Sequence, residues 1–428
     1  MPEAQGGRGG SIARRIAGDA SGGAVSALIA LPYGLAMARL MGLPPALGLF
    51  TSIVAGPVAT ALGRNPVLIG GAASATVPFV AAAVRAQGVG GSAKVCLAAS
   101  VFLMAFGVLR LGRHAARVPH AVVSGFSCGV GAMMVILQIR PLLGLPAASG
   151  PVPAGTLGQL ASALAEAGGA RLGPILLGSI VIAGALAAAR RWPKSPAPTI
   201  GIALAFVATP LLGDVGPVVG LLAPGLPPLA SFRWEPADVA AVLPEAFGLA
   251  IVASVNILIT SRVVEHFRGR HRPLRAADAD AELGAYGIAN LCAGIFGAPM
   301  SVGIPARSLA NVRSGGTTRL SILLHSAFLL GFVGLGSGLI ARIPVTALAG
   351  VTAFVGVGLL EWSTWRRLPR MRRIDAAAFL ATAAAVVATN AIAAVAVGCS
   401  LHAAHHLATK FGRPLPALRR ALPREVDA

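Results

Sequence analysis

The sequence predicts an all-α polytopic membrane protein of 14 transmembrane segments laid out as a 7+7 inverted repeat, with spans 3 and 10 as short half-helices. Three observations predict it. Of the 428 residues, 55% are hydrophobic and 12% charged, about half the roughly 25% charged content of soluble domains, and the mean hydropathy is +0.77. The apolar segments and the basic residues between them fit one membrane orientation. A glycine-flanked, proline-containing motif also occurs twice, about half the chain apart.

Taken in order, the apolar segments lie near 22–40, 46–62, 69–84, 93–110, 120–139, 172–189, 196–213, 238–260, 282–297, 305–312, 320–341, 344–361, 374–389 and 391–409. A regular helix needs about 20 residues to cross a bilayer, so the third and tenth, short and broken by Gly or Pro, do not cross alone. With the N-terminus placed inside, the inner connections hold 27 of the 35 Lys and Arg, in runs such as Arg262 to Arg275 and Arg366 to Arg373. The outer connections hold 7, among them Arg39, Arg85, Arg140 and Arg171, and Arg307 is left within a span. Basic residues crowd cytoplasmic loops, and a missed span would invert every later loop and destroy the split. The net charge of +20 is accounted for in this way and does not call for a nucleic-acid partner.

The two motifs are Gly63-Arg-Asn-Pro-Val-Leu-Ile-Gly70, before span 3, and Gly297-Ala-Pro-Met-Ser-Val-Gly303, before span 10. Seven spans separate them, an odd number, so the copies face opposite ways across the membrane. Inverted-repeat secondary transporters build their binding sites at interrupted helices in matching positions of the two halves.

Chemistry that would mark an enzyme is scarce, and no catalytic residue, metal or cofactor is expected. The four Cys show no CxxC spacing and read as small buried residues. His402, His405 and His406 share one face of the last helix, a spacing compatible with a metal, but they also suit a helix end, where His complements the dipole. The segment Arg262–Glu282 reads as a solvated connection or an anionic-lipid contact. Gly125 and Gly129 form a GxxxG packing face.

Arg307 stands apart. It follows Gly303-Ile-Pro305-Ala306 and so opens a short helix. A charge deep in the bilayer costs roughly 2.5–3.5 kcal/mol or more without a partner. The acids fall in loops or at span ends, with Glu245 and Glu361 the nearest alternatives. Either Arg307 pairs with Glu245 or snorkels, or its partner is a bound anion. If spans 3 and 10 meet at mid-membrane, their N-termini add about +0.5 charge each, and the cavity suits a small anion.

Around these residues the chain resembles the SulP family, the sulfate-permease group of anion transporters. The stretches Pro32 to Phe50, Val118 to Phe126, Glu282 to Asn290 and Ala306 to Arg313 carry the likeness, which spans about 18–410. The resemblance implies a 1–18 cytoplasmic N-terminus, a mobile core of 19–115 and 237–342 (spans 1–4 and 8–11), a gate of 116–236 and 343–410 (spans 5–7 and 12–14), and a basic tail, 411–428. It implies elevator-type movement of a pocket formed by Tyr33, Met37, Ala73, Ser74, Asn256, Ala306, Arg307 and Ser308. The chain departs from the family in four ways. Asn256 stands where many bacterial members have Glu, so proton coupling by that route is not expected. Tyr33 replaces a frequent Gln, Ala306 replaces a Ser of some relatives, and no STAS domain is expected after the last span. A homodimer would then pair through the membrane domain or the tail.

The expected function is secondary active or facilitative transport of small anions of the sulfate, bicarbonate, chloride or dicarboxylate class. Alternatives are a nucleobase-type symporter of the same fold, and an anion channel or sensor on this scaffold. The expected setting is a bacterial inner membrane, crossed many times, with both termini cytoplasmic. The low Lys usage, three of 35 basic residues, fits a bacterial source.

Overall fold

A computed structural model describes residues 6–112, 119–146, 155–192, 195–222, 225–267, 276–389 and 391–411. The tail beyond Phe411 and the middle of the Arg262–Glu282 connection lie outside the described residues. The described residues are mostly helical. In order, the elements are α1 (Gly6–Leu40), α2 (Pro45–Leu62), β1 (Gly70–Ala72), a 3-10 turn (Ser74–Thr76), α3 (Val77–Val108), α4 (His120–Leu142), α5 (Gly155–Ala165) and α6 (Leu172–Arg191). Then come α7 (Ala197–Leu212), α8 (Pro236–Phe267), α9 (Ala276–Gly294), β2 (Ser301–Gly303), α10 (Pro305–Arg313), α11 (Leu320–Ala341), α12 (Val345–Leu359), α13 (Trp362–Arg367), α14 (Arg373–Ala388) and α15 (Ala391–Phe411).

Each apolar segment lands on a helix. Eight helices among the described residues are long and apolar enough to cross a membrane. Two refinements concern the short spans. Span 3 does not start as a helix: Gly70–Ala72 are a strand, and regular helix begins at Val77. Spans 3 and 4 are both in α3, divided by non-helical Gln87 and Gly88, where Gly88 takes φ 63° and ψ −152°, a conformation essentially restricted to glycine. Two short helices, α5 and α13, occupy stretches the apolar pattern left as connections or span ends, since 11 and 6 residues cannot cross a bilayer.

The packing is mirrored between the halves. α1 packs on α11 as α3 packs on α8; α1 on α7 as α8 on α15; α6 on α7 as α14 on α15. The pairs α2–α9 and α4–α12 lie on the axis, each helix meeting its own counterpart. Small residues permit these approaches. A Cβ on Gly125 would strike the Phe379 backbone, and one on Gly129 would strike Val386, so the GxxxG face of α4 seats α14.

The half-helices are joined on the axis. β1 and β2 pair antiparallel, with Gly70 opposite Gly303, Gly71 opposite Val302 and Ala72 opposite Ser301. Three-residue strands contribute little alone, and side chains from the surrounding helices fix the ribbon. Thr260 Oγ1 donates to Gly303 O at 3.0 Å, and the Asn290 side-chain amide brackets Ser301, its Nδ2 donating to the Ser301 carbonyl and its Oδ1 accepting the Ser301 N–H. At the inner end the buried carboxylate of Glu282 accepts the N–H groups of Arg64 and Asn65, closing the turn that leads into β1.

Candidate functional site

The ribbon aims two helix starts at each other. Neither Ser74–Thr76 nor α10 is capped by the side chain of its own N-cap residue, Ala73 or Ile304, and Pro305 occupies the first turn of α10. The first N–H groups of a helix have no intrahelical acceptor. Two uncapped starts together supply donors and positive potential for an anion. Pro305 and Ala306 are exposed, whereas Arg307 and Ser308 are buried, so the accessible tip of α10 is the Pro305–Ala306 pair.

Arg307 lies behind that tip with 1% exposure. Its Nη1 donates to Ser52 Oγ at 3.2 Å, and its guanidinium carbon stands 4.8 Å from the centre of the Tyr33 ring, within cation–π range. Gly71 makes room for it, because a Cβ there would meet both Ser52 Oγ and Arg307 Nη1. Nε and Nη2 have no hydrogen-bond partner. Among the described residues no carboxylate forms an ion pair with Arg307. Of the two acids weighed from the sequence, Glu361 accepts from Thr364, and neither it nor Glu245 forms an ion pair with Arg307 among the described residues. A buried guanidinium with two idle donors is an unfilled electrostatic demand.

The other sequence-derived positions divide into three groups. Tyr33 joins the two starts: its ring lies under Arg307 and its hydroxyl accepts Ser74 N–H at 3.2 Å. Ala73 and Ser74 are buried at the first helix start, and Asn256 is half-buried, its amide donating to Val252 O within its own helix. Met37 and Ser308 are fully buried. The Ser308 hydroxyl accepts Ile69 N–H at 2.9 Å and donates to Ile304 O at 2.9 Å, which locks α10 to β1.

Three residues near this site escaped sequence reasoning: Ser26, Ser52 and His325. Ser52 is fixed from α11 by Ser326, which donates to its carbonyl at 3.2 Å. His325 is 1% exposed on α11, and its Nδ1 lies 3.0 Å from Ser26 Oγ. A signal existed for it, since an ionisable residue inside an apolar span is costly and marks a function by default. At the far end of the chain, His402 faces Asp375 at 3.5 Å. No cluster of potential metal ligands occurs among the described residues, and the side chains of His405 and His406 are outside them.

Comparison with known proteins gives the following. The pattern of the sulfate permease family matches residues 16–382. The bicarbonate transporter BicA of Picosynechococcus is 30% identical over 399 residues, covering 90% of this chain and 69% of that one. A probable sulfate transporter of Mycobacterium tuberculosis is 29% identical over 391 residues, covering 87% and 67%. Among solved structures, the transmembrane domain of a cyanobacterial BicA superposes with a TM-score of 0.78 at 27% identity, over 88% of this chain and 96% of that one. The murine Slc26a9 anion transporter in its inward-facing state superposes with a TM-score of 0.81 at 18% identity, a likeness of fold.

Proposed function

Because the chain belongs to the sulfate permease family, a family of membrane transporters and not of enzymes, we propose that it moves small anions of the sulfate, bicarbonate, chloride or dicarboxylate class across a bacterial inner membrane. The observation that carries this reading is Arg307: fully buried, free of any carboxylate among the described residues, with two idle donors behind two uncapped helix starts. The anion sits at Pro305–Ala306 and Ser74, against Tyr33 and Asn256, and draws its countercharge from Arg307. Backbone N–H groups do most of the hydrogen bonding, which favours compact anions that can reach both helix starts. Relatives named as bicarbonate and sulfate transporters support the oxyanion end of this range.

The carrier in this reading is the set α1–α3 and α8–α11, and the gate is α4–α7 and α12–α15, with both termini cytoplasmic. The packing supports that division, since α1, α2, α3, α8, α9 and α11 interlock among themselves and α4, α6, α7, α12, α14 and α15 do likewise. Movement of the first set past the second, elevator-fashion, carries the anion with its helix starts. A homodimer, where formed, pairs through gate helices.

The test is anion affinity in purified, folded protein. Losing a hydrogen bond to a charged group costs about 1.5–3 kcal/mol, so Arg307→Ala is expected to weaken binding roughly ten- to hundred-fold. Arg307→Lys keeps the charge without the planar fork and falls between. Arg313, exposed at the other end of α10, is the control and leaves affinity unchanged. Unaltered affinity in Arg307→Ala would remove the site from this residue.

A further inference from the structure

His325, like Arg307, is a buried ionisable group whose bonding is incomplete. Ser26 Oγ donates to Gly22 O at 2.8 Å, one turn back in α1. With that hydrogen on Gly22 O, we assign the hydroxyl as the acceptor from His325, the tautomer that carries its hydrogen on Nδ1 and leaves Nε2 as a bare acceptor. Nε2 has no partner and no solvent. Helix α11 packs against α1 and α2. Among the described side chains of α1 the ionisable groups are Tyr33, the exposed Arg14, Arg15 and Arg39, and Asp19, whose carboxylate is engaged by Thr317 and Thr318. From α2 there is none. Arg307 is brought close by Ser52: its Nη1 donates to Ser52 Oγ, and Ser326, the residue after His325, donates to the Ser52 carbonyl. No carboxylate among these is free to balance a second positive charge.

We propose that His325 is a proton site linked to the anion at Arg307, so that one proton is taken up with each anion. The inference rests on the anion-site reading above. While the site is empty, the Arg307 charge repels a proton from Nε2, and two adjacent buried cations would have no counterion. An anion at Arg307 cancels that field, and Nε2 then accepts a proton from water admitted with the anion. Only an N–H bond forms, and it breaks again when the proton returns to water on the other side. Linkage makes the effect reciprocal: protonation tightens the anion as much as the anion favours protonation. The geometry also suits transport. The partners of His325, Ser26 on α1 and Arg307 on α10, belong to the helices assigned to the moving carrier, so proton and anion travel together. This supplies a coupling route that does not need an acid at Asn256.

The test is calorimetric binding of sulfate and of chloride to the full purified chain from about pH 5 to about pH 8, where neither ion titrates. The wild type is expected to bind more tightly as pH falls, up to about tenfold per pH unit for one linked proton. His325→Gln is expected to bind with a flat profile. Ser26→Ala, which keeps the imidazole but removes its Nδ1 partner, is expected to keep the slope and move its midpoint; it serves where His325→Gln does not fold. The same pH profile in wild type and His325→Gln, or a flat wild type, overturns the proposal and leaves a structural, water-bridged histidine. Absence of binding by the wild type at every pH overturns the anion-site reading itself, and the proton site with it.

Discussion

Ser308, expected from the sequence to line the pocket, bonds to the scaffold in this structure. Its hydroxyl is used twice, by Ile69 N–H and Ile304 O, and it is fully buried. Ser308→Ala strands the Ile69 N–H, and an unsatisfied buried donor costs about 1–3 kcal/mol. The variant should therefore melt earlier in a thermal scan while the remaining folded protein keeps near-normal anion affinity. A large affinity loss at unchanged stability would place the hydroxyl on the anion instead. Arg307 was legible in the sequence because one charge inside an apolar span is conspicuous. Ser52 was not. Hydroxyls in helices ordinarily bond their own preceding turn, and nothing in the spacing reveals that this one receives a guanidinium from a helix 255 positions away.

At the scale of elements, the helices were readable and the ribbon was not. Helices announce themselves through long apolar runs. Strands of three residues, Gly70–Ala72 and Ser301–Gly303, have no alternation to read and exist only because each pairs with the other half of the chain. What the sequence did show was the repeated glycines, whose packing role needed coordinates. The bend between the halves of α3 was likewise visible only as a glycine cluster. There a prediction is unusually clean. A Cβ on Gly88 would meet nothing within 4 Å, so Gly88→Ala changes backbone strain alone. The expected loss is about 1–3 kcal/mol, measured by denaturation in detergent. No loss would mean that the bend relaxes into a continuous helix.

Across the whole molecule the mirrored packing extends to individual carboxylates. Asp19, near the start of α1, accepts the N–H groups of Thr317 and Thr318 just ahead of α11. Asp238, at the start of α8, accepts from Gln87 at 2.9 Å and pairs with Lys94 at 2.7 Å, beside the bend that opens the second part of α3. Each ties the first helix of one half to the partner half's contribution, but only one does so with a buried ion pair. Asp238→Ala leaves the Lys94 ammonium without its carboxylate, and an unpaired charge costs more than a lost neutral hydrogen bond. Asp19→Ala removes an acceptor of the Thr317 and Thr318 N–H groups and leaves no unpaired charge behind. Asp238→Ala should therefore be the more damaging in a stability assay, and adding Lys94→Met should restore most of the loss. Equal damage from the two single variants would show that Lys94 reaches water or lipid headgroups once freed.

The antiparallel ribbon also sets a timetable for biogenesis. When Ala72 leaves the ribosome, its strand partner Ser301 is roughly 230 codons from being read, a wait of about 10–50 s at ordinary elongation rates. The Glu282 carboxylate that closes the turn before β1 arrives almost as late. Through that interval the first seven spans can sit in the bilayer with neither a finished binding site nor a polar path through it. An anion carrier that cannot assemble its conducting centre until its second half is translated cannot leak while half-made.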